Sequence, residues 1–292
     1  MTAGSKNRRA TGSIAVSIAA LTAAMACFQL GAVLAKGLFP VVGAAGAAAL
    51  RLGVASVILF AAWRPWRLRV TFREARTIIV YGVAMGWMNL FFYLSLRSIP
   101  LGIAMALEFT GPLGVALAAT RRPSDFLWVL MAILGVLVLL PLGFGSQALP
   151  PVGIACALAA GVCWALYIVF GRKAGAAHGG QTTAWGTLIG AVFIVPIGVA
   201  HSGTLLFSPA ILPAAVGVAL LSSALPYSLE MFAMPRLPTR TFGVLMSLDP
   251  AFAALAGLYF LGESLTWIQW AAIASIMAAS AGSAAMSDLT PD

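Results

Sequence analysis

Apolar residues in this chain come in runs of about twenty, the length that crosses a bilayer as a helix. Each run ends where prolines, glycines or charges gather. The runs fall at 13–35, 41–62, 77–96, 101–119, 126–143, 151–171, 182–200, 210–231, 239–261 and 265–286. Backbone N–H and C=O groups find no water inside a membrane, so each run must bond to itself as a helix rather than lie as an open strand. The pattern predicts an all-α integral membrane protein with ten transmembrane helices. The loops between them are too short to hold a soluble domain.

Composition narrows the picture in the same direction. Of 292 residues, 61% are hydrophobic and only 9% are charged, whereas soluble domains carry roughly 25% charged residues. The net charge of +9 invites a nucleic-acid reading, but its placement argues against one. With the N-terminus in the cytoplasm, the inner loops hold Lys6, Arg8, Arg9, Arg64, Arg67, Arg69, Arg73 and Arg76, then Arg121, Arg122, Arg172, Lys173, Arg236 and Arg240, fourteen of the seventeen basic residues. This is the positive-inside bias of a membrane protein, and it predicts both termini on the cytoplasmic side. The segment KNRR and the apolar run after it resemble a signal peptide in outline. That run continues past Cys27, however, and is expected to stay as the first helix. Cys27, Cys156 and Cys163 all fall within apolar runs and read as packing residues rather than a disulfide framework.

The two halves of the chain match at a fixed offset of 138 residues. Pro100 pairs with Pro238, Pro112 with Pro250, and Asp125 with Glu263. The halves, 1–146 and 147–292, each hold five predicted helices. An odd number turns the second half over in the membrane, giving inverted repeats within one unit. In proteins built this way the ligand site lies near the midplane, where interrupted helices meet.

Polar residues inside the runs are therefore the candidates for chemistry. Glu108 lies eight residues from Pro100, about 12 Å along a helix, close to mid-bilayer. A charge there costs about 2.5–3.5 kcal/mol on insertion scales, so it must face a bundle interior or a wet cavity. Gly111 and Pro112 follow within a turn, and Pro112 cannot donate to the Glu108 carbonyl, which lets the helix bend. Asp249 precedes Pro250 in the matching place, as a site residue or as a kink partner. Glu230 follows Pro226 by four residues and could pair with Arg236 or Arg240 instead of serving a site. Arg51, deep in the second run, either anchors an anionic group or pairs with Glu108 or Asp249, and structural pairing is the expectation. Lys36 is expected to reach outward to the headgroups. Gln29, Asn89, Tyr93, Trp164 and Tyr227 stand at cavity depth, as do Trp87, Tyr167 and Trp185. Asn89 and Tyr227 are mates at the same offset. Aromatic residues in membrane helices also pack or form interfacial belts.

Catalytic patterns are missing. His178 and His201 fall at loops on opposite sides, and no Cys/His/Asp cluster has metal-ligand spacing. No phosphate-binding loop of the GxxxxGK[ST] type occurs. No metal, cofactor or nucleic acid is implied, and a membrane enzyme acting on lipid-linked substrates is a remote alternative.

The segments WRPWRLR, PLGIAMALEFTGPL, RRPSDFLW, LPYSLEM, RLPTRTFGVLMSLDP and FLGESLTWIQW resemble the EamA branch of the drug/metabolite transporters, and within it the bacterial threonine/homoserine exporters. The resemblance spans nearly the whole chain. It implies a secondary exporter of small neutral amino acids in the bacterial cytoplasmic membrane, working by alternating access and exchanging substrate for protons. Its central cavity would be lined mainly by the first, third, fourth, sixth, eighth and ninth helices. Glu108, Glu230 and Asp249 carry over as the motif acids, with aspartate standing where relatives often have glutamate. Within the superfamily the alternative cargo is an organic cation or another metabolite, since a carboxylate among aromatic rings also suits a cation.

Overall fold

The computed structural model describes residues 3–68, 70–119, 125–139, 149–178, 180–233, 236–237 and 239–287. Among these residues there is no strand, and the helices follow the predicted runs. They are α1 (Ala3–Gly37), α2 (Phe39–Trp63), α3 (Phe72–Ser95), α4 (Leu101–Glu108), α5 (Thr110–Ala119), α6 (Asp125–Leu139) and α7 (Pro151–His178). After these come α8 (Gly180–Ser202), α9 (Leu212–Ala219), α10 (Leu225–Ala233), α11 (Thr239–Met246), α12 (Asp249–Leu261) and α13 (Trp267–Ser287). Among the described residues seven stretches are long and apolar enough to cross a membrane: Ile14–Gly37, Phe39–Trp63, Phe72–Ser95, Pro151–Ala174, Gly180–Phe207, Leu212–Glu230 and Thr241–Leu261. Leu101–Val115 and Phe126–Leu139 are shorter apolar helices. The predicted repeat mate Pro238 and the tail from Asp288 lie outside the described residues, as do Arg69, Arg121, Arg122 and the side chains of Asp125 and Arg240.

Local chemistry sets the helix ends. Thr71 caps α3 by accepting from the Glu74 backbone N–H, while the Glu74 carboxylate accepts from Thr71 N at 2.7 Å. Thr266 and Gln269 make the same reciprocal pair ahead of α13. Each box satisfies N-terminal amides that have no partner inside the helix. Gly262, at φ 65°, closes α12 in the left-handed conformation that glycine adopts without a Cβ clash.

The run 41–62 kinks at Gly43, which takes φ 66° and ψ 173°, and three further runs are interrupted beside prolines. The run 101–119 breaks at Phe109, between α4 and α5, three residues ahead of Pro112. The run 239–261 breaks at Ser247 and Leu248, just ahead of Pro250. The run 210–231 holds one π-helical stretch, Leu220–Ala224, directly before Pro226. A proline lacks the N–H that the carbonyl four residues earlier would accept, so these sites free the carbonyls of Glu108, Met246 and Ser222.

Small residues let the helices close on one another, as membrane helices without a hydrophobic driving force require. The alanine-rich face of α2 meets α8, where Ser202 Oγ donates to the Val42 carbonyl at 2.6 Å and a Cβ on Gly198 would strike Ala49. Gly82 and Gly86 of α3 meet Gly186 and Gly190 of α8. Gly102 of α4 packs on the backbone of Ala254 in α12. Large apolar side chains remain on the outside, with Phe72 90% and Trp267 89% exposed. A soluble protein does not leave such surface facing water.

At one end of the bundle Lys36, in the last turn of α1, forms an ion pair with Glu263 in the loop after α12. The other carboxylate oxygen of Glu263 accepts from Leu101 N, the first residue of α4, at 2.7 Å. The expectation that Lys36 reaches the headgroups is thus corrected. An acidic partner lies within its reach, and pairing spares the ammonium the cost of partial burial.

Candidate functional site

Glu108 ends α4 one residue before the break, and its side chain is buried, 4% exposed. The backbone at this point is pressed against α7. A Cβ on Gly111 would strike the Gly161 carbonyl, and a Cβ on Gly161 would meet the Glu108 carbonyl at 2.8 Å. Two glycines facing each other thus let the broken α4–α5 segment sit backbone to backbone with α7. Pro112 leaves that Glu108 carbonyl without its intrahelical donor, and Gly161 keeps it accessible. Phe109, in the break, packs edge-on against Trp164 with ring centroids 5.3 Å apart.

Asp249 opens α12 and is also buried. It accepts from Gln29 Nε2 of α1 at 2.8 Å. Arg51 of α2 does not take either carboxylate as its hydrogen-bond partner, which corrects the expected pairing. Its Nη2 donates to the Ser222 carbonyl at 2.8 Å, the acceptor that Pro226 leaves free. The guanidinium also lies over the Tyr93 ring, 5.6 Å from Cζ to centroid. Glu108 remains within electrostatic reach of both Arg51 and Asp249.

The remaining candidates divide. Tyr227 packs edge-on against Phe28 at 5.6 Å and is within electrostatic reach of Arg51, Glu108 and Glu230. Glu230 is half-buried and within electrostatic reach of Asp249. It does not pair with Arg236, whose Nη1 donates to the Phe232 carbonyl while the guanidinium covers the Phe232 ring at 4.1 Å. Asn89 is buried, but its amide donates to the Met85 carbonyl one turn earlier. Trp185 is drawn to the periphery by a 3.2 Å bond to the Pro65 carbonyl, and Trp87 stacks on Phe91 of its own helix.

Two groups belong to this cluster that the sequence did not single out. Tyr81 of α3 stacks on Tyr167 of α7 with centroids 4.9 Å apart, within electrostatic reach of Tyr227 and Glu230. Ser222 and its neighbour Ser223 are fully buried in the π-helical turn. The signal for Ser222 was present in the sequence: it lies four residues before Pro226, the one carbonyl that this proline frees.

Four buried polar atoms in the cluster have no hydrogen-bond partner among the described residues: Gln29 Oε1, Arg51 Nε, Tyr93 OH and Ser222 Oγ. Natively buried polar groups are nearly always paired, and each unpaired one costs about 1–3 kcal/mol. These unpaired atoms make the cluster around Arg51, Glu108 and Asp249 the candidate site. The second predicted helix supplies Arg51, although the resemblance placed the cavity lining mainly on other helices.

Similar proteins agree with this architecture. Residues 151–284 match the EamA-like transporter family. The threonine/homoserine exporters RhtA of Escherichia coli (strain K12) and Salmonella typhimurium (strain LT2) are each 54% identical over 266 residues, 91% of this chain and 90% of theirs. A solved crystal structure covers 94% of this chain and 98% of its own with a TM-score of 0.58, and at 21% identity it shows a shared fold. The relatives are transporters rather than enzymes, and helices of this length and apolarity make a multi-pass membrane protein. With identity sustained over nine-tenths of its length, the chain belongs to the EamA-like transporter family.

Proposed function

We propose that the protein is a secondary exporter of small neutral amino acids, threonine and homoserine foremost. The observation that carries this reading is the burial of an acid and a base, Glu108 and Arg51, within one polar cluster. Glu108, Asp249 and Glu230 can receive an ammonium, while Arg51 is a buried cation within electrostatic reach of Glu108. A zwitterion needs both. An organic cation would be repelled by Arg51 and is the weaker reading.

Ten crossings arranged as inverted five-helix repeats, 1–146 and 147–292, are supported by the offset of 138 between proline and acid positions. The placement of arginines supports cytoplasmic termini in the bacterial inner membrane. Alternating access would rock the two repeats about the site, as in other inverted-repeat transporters. Exchange against protons would use Glu108 as the ammonium partner or the proton carrier.

Efflux of labelled threonine and homoserine from loaded proteoliposomes tests this, with and without an inward pH gradient. Efflux accelerated by the gradient supports amino-acid export by proton antiport. Efflux indifferent to the gradient removes the proton and keeps the substrate. No efflux from folded protein removes the amino-acid reading, and competition by a quaternary ammonium ion then tests the cationic one.

A further inference from the structure

We propose that Arg51, Tyr93 and Ser222 together form the subsite for the substrate's carboxylate. This assignment rests on the amino-acid reading above. It begins with Pro226, which cannot donate to the Ser222 carbonyl, and with the π-helical turn, in which Leu225 N reaches back to Leu220 O. The freed carbonyl is taken by Arg51 Nη2 at 2.8 Å. That bond holds the guanidinium in place and leaves its Nε–H without an acceptor.

The neighbours of the guanidinium share that condition. Tyr93 lies with its ring 5.6 Å from Arg51 Cζ, and its hydroxyl has no partner. Ser222, whose carbonyl holds Arg51, has an unpartnered Oγ. Arg51 is 7% exposed, and Tyr93 and Ser222 are 0% exposed. Two buried hydroxyls and the guanidinium's own Nε–H thus stand without a hydrogen-bond partner among the described residues, all on Arg51 or on residues in contact with it. An ionised carboxyl group is acceptor-only, with two oxygens and about four lone-pair sites, and it forms charge-assisted bonds with such donors.

The chain's own carboxylates do not fill this role, since Asp249 is engaged by Gln29 and Arg51 bonds the backbone in place of Glu108. The acceptors of the cluster lie on other elements: Gln29 Oε1 on α1, Glu108 on α4 and Asp249 on α12. The unpaired donors therefore lie on α2, α3 and the π-helical turn, where Ser222 Oγ sits against Gly31 of α1, and the acceptors on α1, α4 and α12. A zwitterion would lie between them, carboxylate toward Arg51 and ammonium toward Glu108.

The test uses the full chain, reconstituted, with bound labelled threonine displaced by threonine or by threoninol, which keeps the amine and side chain but lacks the carboxylate. Wild type is expected to prefer threonine over threoninol by at least tenfold. Tyr93→Phe and Ser222→Ala remove only the free hydroxyls. Each should weaken threonine about tenfold, the factor that 1.4 kcal/mol represents, and leave threoninol unchanged. Ser283→Ala, which removes another buried and unpartnered hydroxyl on α13, should change neither. Equal losses for both ligands, or threoninol competing as well as threonine on wild type, would overturn the subsite. A folded wild type that binds neither threonine nor homoserine would instead overturn the amino-acid reading and take the subsite with it.

Discussion

Gln29 Nε2 and Asp249 Oδ1 meet at 2.8 Å across 220 residues of sequence, tying the middle of α1 to the start of α12. The amide gives one donor to the carboxylate and keeps its oxygen unpaired. Replacing Gln29 with leucine removes both and leaves Asp249 buried without that donor. Export should fall at least tenfold, since a lost bond to a buried charged group costs about 1.5–3 kcal/mol. Initial efflux rates at matched protein levels check this, and wild-type rates from Gln29→Leu would remove Gln29 from the site.

Glu108→Gln keeps the shape of the side chain and removes its charge. Export should be abolished while the protein still inserts, as read by efflux alongside membrane abundance. Efflux at the wild-type level from a well-expressed variant would strip Glu108 of its role.

Pro226→Ala restores an N–H within reach of the Ser222 carbonyl. The new donor competes with Arg51, so the guanidinium loses its anchor. The KM for threonine should rise several-fold with helix content by circular dichroism unchanged. An unaltered KM would mean that Arg51 holds its place without the freed carbonyl.

Gly111→Ala and Gly114→Ala are nearly the same change three residues apart, with opposite expectations. The new Cβ at 111 meets the Gly161 carbonyl, whereas at 114 it meets open space. Overpacking of this kind costs about 1–3 kcal/mol, so Gly111→Ala should lower Tm in detergent. Gly114→Ala should leave Tm unchanged or raise it slightly, because alanine is the better helix former. Equal melting temperatures would show that the α4–α5 break is free to shift away from α7.

Lys36→Met removes one of the two partners of Glu263, while Glu263→Ala also removes the acceptor of Leu101 N. The second variant should loosen its end of the bundle more than the first. Labelling of a cysteine placed at Ser98 by a membrane-impermeant thiol reagent checks the order. Equal labelling would mean that the bond to α4 carries no weight.

Much of this was legible in the sequence because lipid imposes a strict rule. Backbone groups must bond within their own segment, so apolar runs became helices close to their predicted bounds, and the breaks fell beside Pro112, Pro226 and Pro250. Glu108 and Asp249 were legible for the same reason, since a buried acid in an apolar run is costly and rarely idle. Partners were harder to read. Arg51 looked like a cation in search of a carboxylate, yet it took a carbonyl, because backbone acceptors are invisible in a pattern of side chains unless a proline betrays them. Asn89 had the depth and the repeat mate of a site residue, but a carbonyl of its own helix lay closer. Tyr81 was overlooked because one tyrosine in an apolar run looks like any packing aromatic until a second ring stacks upon it.

The polar bonds Gln29–Asp249, Lys36–Glu263, Arg51–Ser222 and Leu101–Glu263 all join residues before 140 to residues after 148. During synthesis the early helices therefore enter the bilayer with Arg51 and Glu108 still lacking their later neighbours. The first part of the chain thus carries polar groups whose partners are made only later. Two fragments made separately should each be prey for membrane proteases, and the same fragments made together in one cell should rescue one another.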